Sequence, residues 1–258
     1  MRRTSVRMMI WSELTGNYKL MKKTFIKKTT SKLMLHNRPK RLLKGSALIK
    51  YKKQLKLQKF QREILVGTLL GGASMISSKT SSYSIKFEQK LMAAEYVDHL
   101  YEMFQEFVGT PPRVRNITGG GANDRQSIWF RTYKHPSFKF YYDIFYPKLN
   151  KDEQKRCKKS VPKIIHRLLT SRALAYWFMD DGTFSKLHKS YTFSTHGFDL
   201  SDQKILVNAL KVNFGINASI HKDGSYYKLY IKSESKQIFV YLIRPFIHIT
   251  AAKKLLES

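Results

Sequence analysis

Apolar positions along this chain recur at two periods, and each change of period marks a change of element. Residues 62–71 (Arg-Glu-Ile-Leu-Val-Gly-Thr-Leu-Leu-Gly) read as an apolar helix. Tyr83–Gln89 alternates, with Ile85 and Phe87 on one side and Ser84, Lys86 and Glu88 on the other, which is the pattern of a half-buried strand. Residues 91–108 return to helical spacing, with Leu91, Ala94, Val97, Leu100 and Phe104 on one stripe, and Gly109-Thr110-Pro111-Pro112 stops them. Arg113–Asp124 reads as a loop with Gly119-Gly120-Gly121 at a hairpin tip, and no Gly-x-Gly-x-x-Gly or phosphate-loop pattern accompanies it. Ser127–Tyr133 is a second strand with Trp129, Arg131 and Tyr133 on one side, and Phe138–Tyr146 is a short aromatic helix ended by Pro147.

After a basic connector the order repeats. Leu169–Asp180 is a helix and Tyr191–Thr195 a strand. Ser201–Phe214 is a helix with Ser201 at the N-cap. Ser219–Ser233 is a hairpin about Asp223-Gly224, with Lys228, Tyr230 and Lys232 on one side of its return strand. Residues 235–247 form the last helix. Leu65 and Leu174 open corresponding helices about 109 residues apart, which marks an internal repeat. Two such halves would pair two sheets about a pseudo-two-fold axis.

The two repeat-starting helices differ in chemistry. Gly67 and Gly71 lie four apart on one face of the first. Each costs about 1 kcal/mol against alanine, so the spacing predicts the close approach of another backbone. The second ends in Asp180-Asp181-Gly182. Adjacent carboxylates at the negative end of a helix dipole are unfavourable unless a divalent cation, or a ring of Lys and Arg, meets them. A solvated helix cap is the competing reading.

The chain has 258 residues, 42% apolar and 13% aromatic, enough for one large domain or two lobes. Its 48 Lys+Arg against 18 Asp+Glu leave a net charge of +30. A field of that sign attracts polyanions, nucleic acid first and an anionic membrane surface second. Residues 1–62 hold 19 Lys+Arg and a single acid, Glu13. Segment 1–50 lacks sustained periodicity and reads as an extension: an arm along phosphates, carrying Arg38, Lys40 and Arg41, or an organellar targeting segment. Lys52 and Lys53 continue its basic run into the first helix. The single Cys157 excludes an intramolecular disulfide and a cysteine-based zinc site. No apolar run reaches the roughly 18 residues of a membrane span.

Aligned, Leu65-Val66-Gly67-Thr68-Leu69-Leu70-Gly71-Gly72-Ala73 lies over Leu174-Ala175-Tyr176-Trp177-Phe178-Met179-Asp180-Asp181-Gly182. This pair resembles the two motifs of the LAGLIDADG homing endonucleases, in particular the single-chain kind encoded by mitochondrial ribosomal-RNA introns. The resemblance spans about residues 60–254 and implies an α+β fold of two αββαββα halves, the motif helices packed at the centre and the sheets forming a saddle. The implied division is a basic extension over 1–58, a first half over 59–147, a connector over 148–166 and a second half over 167–258, in a monomer with an internal pseudo-two-fold.

In that family the eighth motif residue binds Mg²⁺, and this role falls to Asp181, with Asp180 beside it as support or cap. Its counterpart in the first motif is Gly72, which has no side chain. Ser74, Ser77 and Glu63 are poor substitutes, the first two because a hydroxyl binds Mg²⁺ weakly and the last because it lies at the far end of the helix. The family's active-site lysines correspond to Lys159 or Lys158 and to Lys254 or Lys253. Loss of an acid ligand from a phosphoryl-transfer site removes several kcal/mol of transition-state stabilisation, so cleavage of both strands is not expected. The implied function is binding of RNA, ribosomal or intronic, in a mitochondrion or other organelle, without a cofactor. A Mg²⁺-dependent DNA endonuclease is the alternative. Saddle contacts would come from Lys86, Trp129, Arg131, Tyr133, Lys228, Tyr230 and Lys232.

Overall fold

A computed structural model describes residues 43–77, 82–117, 125–147, 158–185 and 190–255. Arg38, Lys40 and Arg41, the triple glycine at 119–121 and Cys157 lie outside the described residues. Residues 48–258 form one compact unit. Helix α1 (Gly45–Gln54) precedes α2 (Lys59–Leu70). The basic lead-in at 51–58 is part of the folded body rather than of an extension. Leu55 and Leu57 are buried, and the Tyr51 hydroxyl donates to the Glu106 carbonyl at 3.0 Å.

Strands β1 (Ser74–Ser77), β2 (Tyr83–Lys90), β3 (Arg113–Ile117) and β4 (Arg125–Arg131) form an antiparallel sheet in the order β1-β2-β4-β3. Helix α3 (Ala94–Phe104) and the short α4 (Lys139–Phe145) complete the first half. After the single turn α5 (Ile165–Leu168), helix α6 (Ser171–Asp181) opens the second half. It continues with β5 (Gly182–Ser185), β6 (Ser190–Phe193), α7 (Leu200–Phe214), β7 (Ala218–Asp223), β8 (Tyr226–Ile231) and α8 (Lys236–Ile243). The second sheet repeats the first, in the order β5-β6-β8-β7. The mixed fold with two four-stranded antiparallel sheets is the α+β architecture implied by the resemblance.

Three strands differ from the sequence reading. β1, β3 and β5 are four or five residues long, too short to show alternation. β3 carries the polar Arg113, Arg115 and Asn116 beside Val114 and Ile117 and is exposed along its whole length, as an edge strand. Ser201 is not the N-cap of α7; Asp199 is, and Leu200 begins the helix. The β7–β8 turn residues are Gly224 and Ser225, because Asp223 pairs with Tyr226. Gly224 sits at φ 62°, where glycine avoids the strain of a side chain.

Each sheet has an apolar and a polar face. In the first, Ile85, Phe87, Ile128 and Phe130 are buried and carry the core, with Phe87 stacked on Phe130 at 4.8 Å. In the second, Phe193, Leu229 and Ile231 do the same, with Trp177 against Phe193 at 4.1 Å. The predicted stripe on α3 is inward, with Val97, Leu100 and Phe104 buried.

The centre of the unit is the packing of α2 on α6. Gly67 is where the backbones meet: a Cβ there would lie 2.2 Å from the carbonyl oxygen of Ala173 and 2.9 Å from the Tyr176 Cβ. A Cβ on Gly71 would lie 2.5 Å from the Asp180 Cβ. Both glycines of the predicted pair therefore exist for close approach. The far ends of the helices are tied by Arg172, whose guanidinium donates to Glu63 at 2.7 Å. That pairing uses Glu63 where it cannot replace a missing acid at Gly72. The α6 N-terminus is capped by Thr170, whose hydroxyl accepts from the Ala173 amide at 3.2 Å.

Candidate functional site

The C-terminal ends of α2 and α6 lie side by side, and the predicted residues Asp181, Lys159 and Lys254 converge there. Each lysine answers the unsatisfied carbonyls of one helix end. Lys159 Nζ donates to the Gly71 carbonyl at 2.6 Å and the Ala73 carbonyl at 3.2 Å. Lys254 Nζ donates to the Met179 carbonyl at 2.7 Å. Lys158 instead reaches out to Asp199 at 2.5 Å, and Lys253 is exposed, so of each pair it is Lys159 and Lys254 that face the helix ends.

Asp180 is not a solvated cap. It crosses to the first helix, where its Oδ2 accepts from the Gly72 amide at 3.1 Å and its Oδ1 accepts from Gln89 Nε2 at 3.1 Å. Burial, then the neighbouring Asp181 charge, pushes its carboxyl up to about 7 despite these donors. Burial likewise raises Asp181 to about 6, opposed by the charges of Lys159, Lys254 and His196. Lys159 is pushed down to about 8 by burial, the two aspartates countering. The buried Tyr96 phenol is held far above its ordinary range by burial and by the Asp180 charge. Gln89, Tyr96 and His196 are members of this cluster that sequence reasoning missed. Gln89 ends a strand pattern that explains it as an ordinary polar residue, and the other two carry no motif.

Gly72 is closely bounded, by the end of a flexible side chain rather than by backbone. A Cβ there would sit 3.2 Å from Gln89 Nε2 and 3.9 Å from Asp180 Oδ2, and its backbone is not left-handed. A side chain at this position therefore requires the end of Gln89 to give by a few tenths of an ångström, and none is encoded. Magnesium is held by one or two carboxylates together with substrate phosphates. On the first-motif side the residues do not fit a metal: no side chain stands at Gly72, and both Asp180 oxygens are engaged by donors. On the second-motif side Asp181 supplies one carboxylate. Among the described residues no group of three or more His, Cys, Asp or Glu could hold a metal ion.

The polar faces of the sheets carry most of the predicted contact residues. Lys86, Trp129 and Arg131 are together on the first sheet, with Lys86 Nζ and the Arg131 guanidinium 5.4 and 5.7 Å from the Trp129 ring. Trp129 is therefore outside the core. Glu88 binds both Lys86 and Arg115, the latter at 2.6 Å, and these cations hold its carboxyl below the usual range although burial opposes them. On the second sheet Lys228 pairs with Asp223 at 2.6 Å, and Tyr230 packs on His221 at 4.2 Å. Two residues depart from the expectation. Tyr133 lies beyond β4, packs on the core with its ring against Gly109, and has Lys52 Nζ 4.6 Å from its centroid. Its strand alternation fails because the chain leaves the sheet after Arg131 to bond Phe107, the Tyr133 amide donating at 2.6 Å. Lys232 is exposed but past the end of β8. Lys53 is exposed on α1.

The sequence pattern of the LAGLIDADG DNA endonuclease family matches residues 62–239, which takes in both central helices and both sheets. The chain belongs to the LAGLIDADG DNA endonuclease family. A probable intron-encoded endonuclease of Wickerhamomyces canadensis is 32% identical over 212 residues, covering 79% of this chain and 87% of the relative. A cytochrome b mRNA maturase, bI2, of Debaryomyces hansenii is 29% identical over 211 residues, covering 80% of this chain and 76% of the relative. The homing endonuclease I-WcaI, bound to its DNA recognition sequence, superposes with a TM-score of 0.75 at 29% identity, over 86% of this chain and 99% of I-WcaI. Among LAGLIDADG proteins, then, this chain resembles both endonucleases and an mRNA maturase. No helix among the described residues is long and apolar enough to cross a membrane.

Proposed function

We propose that this chain is an organellar LAGLIDADG protein that holds RNA on its two sheets and does not cut both strands of duplex DNA. The observation that carries the reading is Gly72. It places a hydrogen where the second helix places the Asp181 carboxylate, and the nearest acid, Asp180, is tied to the Gly72 amide and to Gln89. Cutting two strands needs two phosphoryl-transfer sites, each with its own stabilisation of developing charge. RNA is favoured over DNA by the concentration of 19 Lys+Arg in the first 62 residues, and by the likeness to a maturase of an mRNA. The role is that of an intron maturase or a ribosome constituent, and binding rests on counterion release from phosphates.

The test is direct. The full chain is incubated with Mg²⁺ and a supercoiled plasmid library, and in parallel cross-linked in organelle extract with sequencing of the attached RNA. We expect recovered intron or ribosomal RNA and no linear plasmid. Linear product from the wild-type chain would sink the proposal. Cutting gained only by Gly72→Asp would support it, because that substitution restores an acid at the eighth motif position and asks only the end of the Gln89 side chain to give way.

A further inference from the structure

Resting on the RNA reading, we infer that the back of the second half carries a separate phosphate-binding groove that takes the backbone of the same RNA. The groove runs between α5 and α7, has a volume of about 390 Å³, and is lined by Lys163, Ile165, His166, Lys204, Ile205 and Asn208. Its floor is apolar, with Ile165 buried and Ile205 half-buried, and its rim is basic or amide, with Lys163, His166, Lys204 and Asn208 exposed. No acid lines it.

On the sheet faces part of the charge is already paired, although Arg131 has no acid partner among the described residues. There, Lys86 and Arg115 share Glu88, and Lys228 holds Asp223. In the groove the side chains of Lys163, His166 and Lys204 enter no ion pair or hydrogen bond among the described residues. Two lysines converging without a counter-charge repel each other until an anion arrives, and the His166 imidazole adds a hydrogen-bonding edge beside them. The walls are also fixed in advance. Asn213 on α7 donates from Nδ2 to the carbonyls of His166 and Leu169, both at 2.8 Å, and so holds the α5 turn against α7. Lys204 and Asn208 are four apart and share one face of that helix.

The location makes this a second surface. Leu206, Ala209 and Leu210 bury the other side of α7 in the core that covers the apolar face of the second sheet. Lys228 and Tyr230 lie on the opposite, polar face of that sheet. A structured RNA that engages both surfaces gains the effective-concentration advantage of two linked contacts.

The experiment uses the full chain, a labelled stem–loop RNA with an internal bulge, and the same stem–loop in DNA. Affinity is measured as a function of salt for wild type, for Lys163→Glu/Lys204→Glu and for Trp129→Ala/Arg131→Ala. Both groove lysines are exposed, so a thermal melt confirms that the first variant folds. We expect it to bind the RNA at least about tenfold more weakly, with the slope of log K against log salt reduced by about 1.5, as loss of two phosphate contacts requires. A p-benzoylphenylalanine at position 208 should photocross-link to the RNA. If the groove variant keeps wild-type affinity and slope and position 208 gives no cross-link, while the sheet variant loses binding, the groove inference fails and the RNA reading stands. If the wild type ignores the RNA and binds only the DNA, both fall. If the groove variant keeps RNA binding but loses an acidic protein partner, the occupant is protein and the inference is overturned.

Discussion

The two central helices occupy equivalent places and divide their labour unequally. On α6 the positions facing the pseudo-axis are Tyr176 and Asp180, and on α2 their equivalents are Gly67 and Gly71. Large faces small at both levels. A symmetric pair of helices packed this closely would need small residues on both sides; a single chain needs them on one. The sequence has used that freedom twice, and the second use matters for function. With Asp180 and Asp181 both on α6 and Gly71 and Gly72 both on α2, the acid of the site is concentrated on one helix. The first half keeps the scaffold of a site, with Lys159 against the helix-end carbonyls, but lacks its carboxylate.

This asymmetry can be broken from either side. Tyr176→Ala should have the largest effect, about 3–5 kcal/mol of stability by analogy with other buried aromatic truncations, because it opens a cavity where α2 offers only glycine. Gly67→Ala should follow at about 2–3 kcal/mol, since overpacking is severe when the obstructing atom is backbone, here the Ala173 carbonyl at 2.2 Å. Urea denaturation of both variants checks the order. Equal, small losses would mean that the helices are not packed as closely as described.

Next comes the carboxylate pair. Unfolded aspartate ionises near pH 3.9, whereas in the folded state Asp181 does so at about 6 and Asp180 at about 7. Between these limits the native chain keeps protons that the unfolded chain has released, so stability falls as pH rises from about 4 to 7. Asp180→Asn removes part of that decline. It should stabilise the protein by on the order of 2 kcal/mol at pH 8, where a tenfold change in proton affinity is worth about 1.4 kcal/mol, and should give no gain at pH 4. Thermal melts across pH measure this, and an equal gain at both pH values would refute the assignment.

The sheets differ as the helix ends do. Superposing the strand registers sets Lys86 over Thr192, Arg131 over Tyr230 and Trp129 over Lys228. The first sheet thus presents an indole between two cations, and the second a phenol beside a neutralised lysine. Trp129→Ala should weaken RNA binding by about 1–2 kcal/mol if a base stacks there. Lys228→Ala should cost less than about 1 kcal/mol, because the ion pair with Asp223 already offsets its charge. Titration of both variants with one labelled RNA sharpens the contrast, and a larger loss for Lys228 would reverse the roles of the two sheets.

Where a signal is periodic or compositional, the sequence carried it. The α3 stripe, the alternation in β2 and the glycine pair on α2 are each a rule of spacing, and each has its buried counterpart in the fold. Tyr133 and Ser201 depart from the local pattern because alternation and cap preference are local, whereas the places where a strand leaves its sheet and a helix begins depend on contacts such as that with Phe107. The short edge strands hold too few residues to show a period at all.

By itself, then, the sequence determined the repeat, the close helix contact and the missing acid at Gly72, since each depends only on which side chains stand at fixed intervals. Only the tertiary structure decided that Asp180 crosses to the Gly72 amide, that Lys159 and Lys254 rather than their neighbours face the helix ends, and that Lys163 and Lys204 meet behind the second sheet. Those residues are from tens to more than a hundred positions apart, and burial, hydrogen bonding and charge act on distance in space.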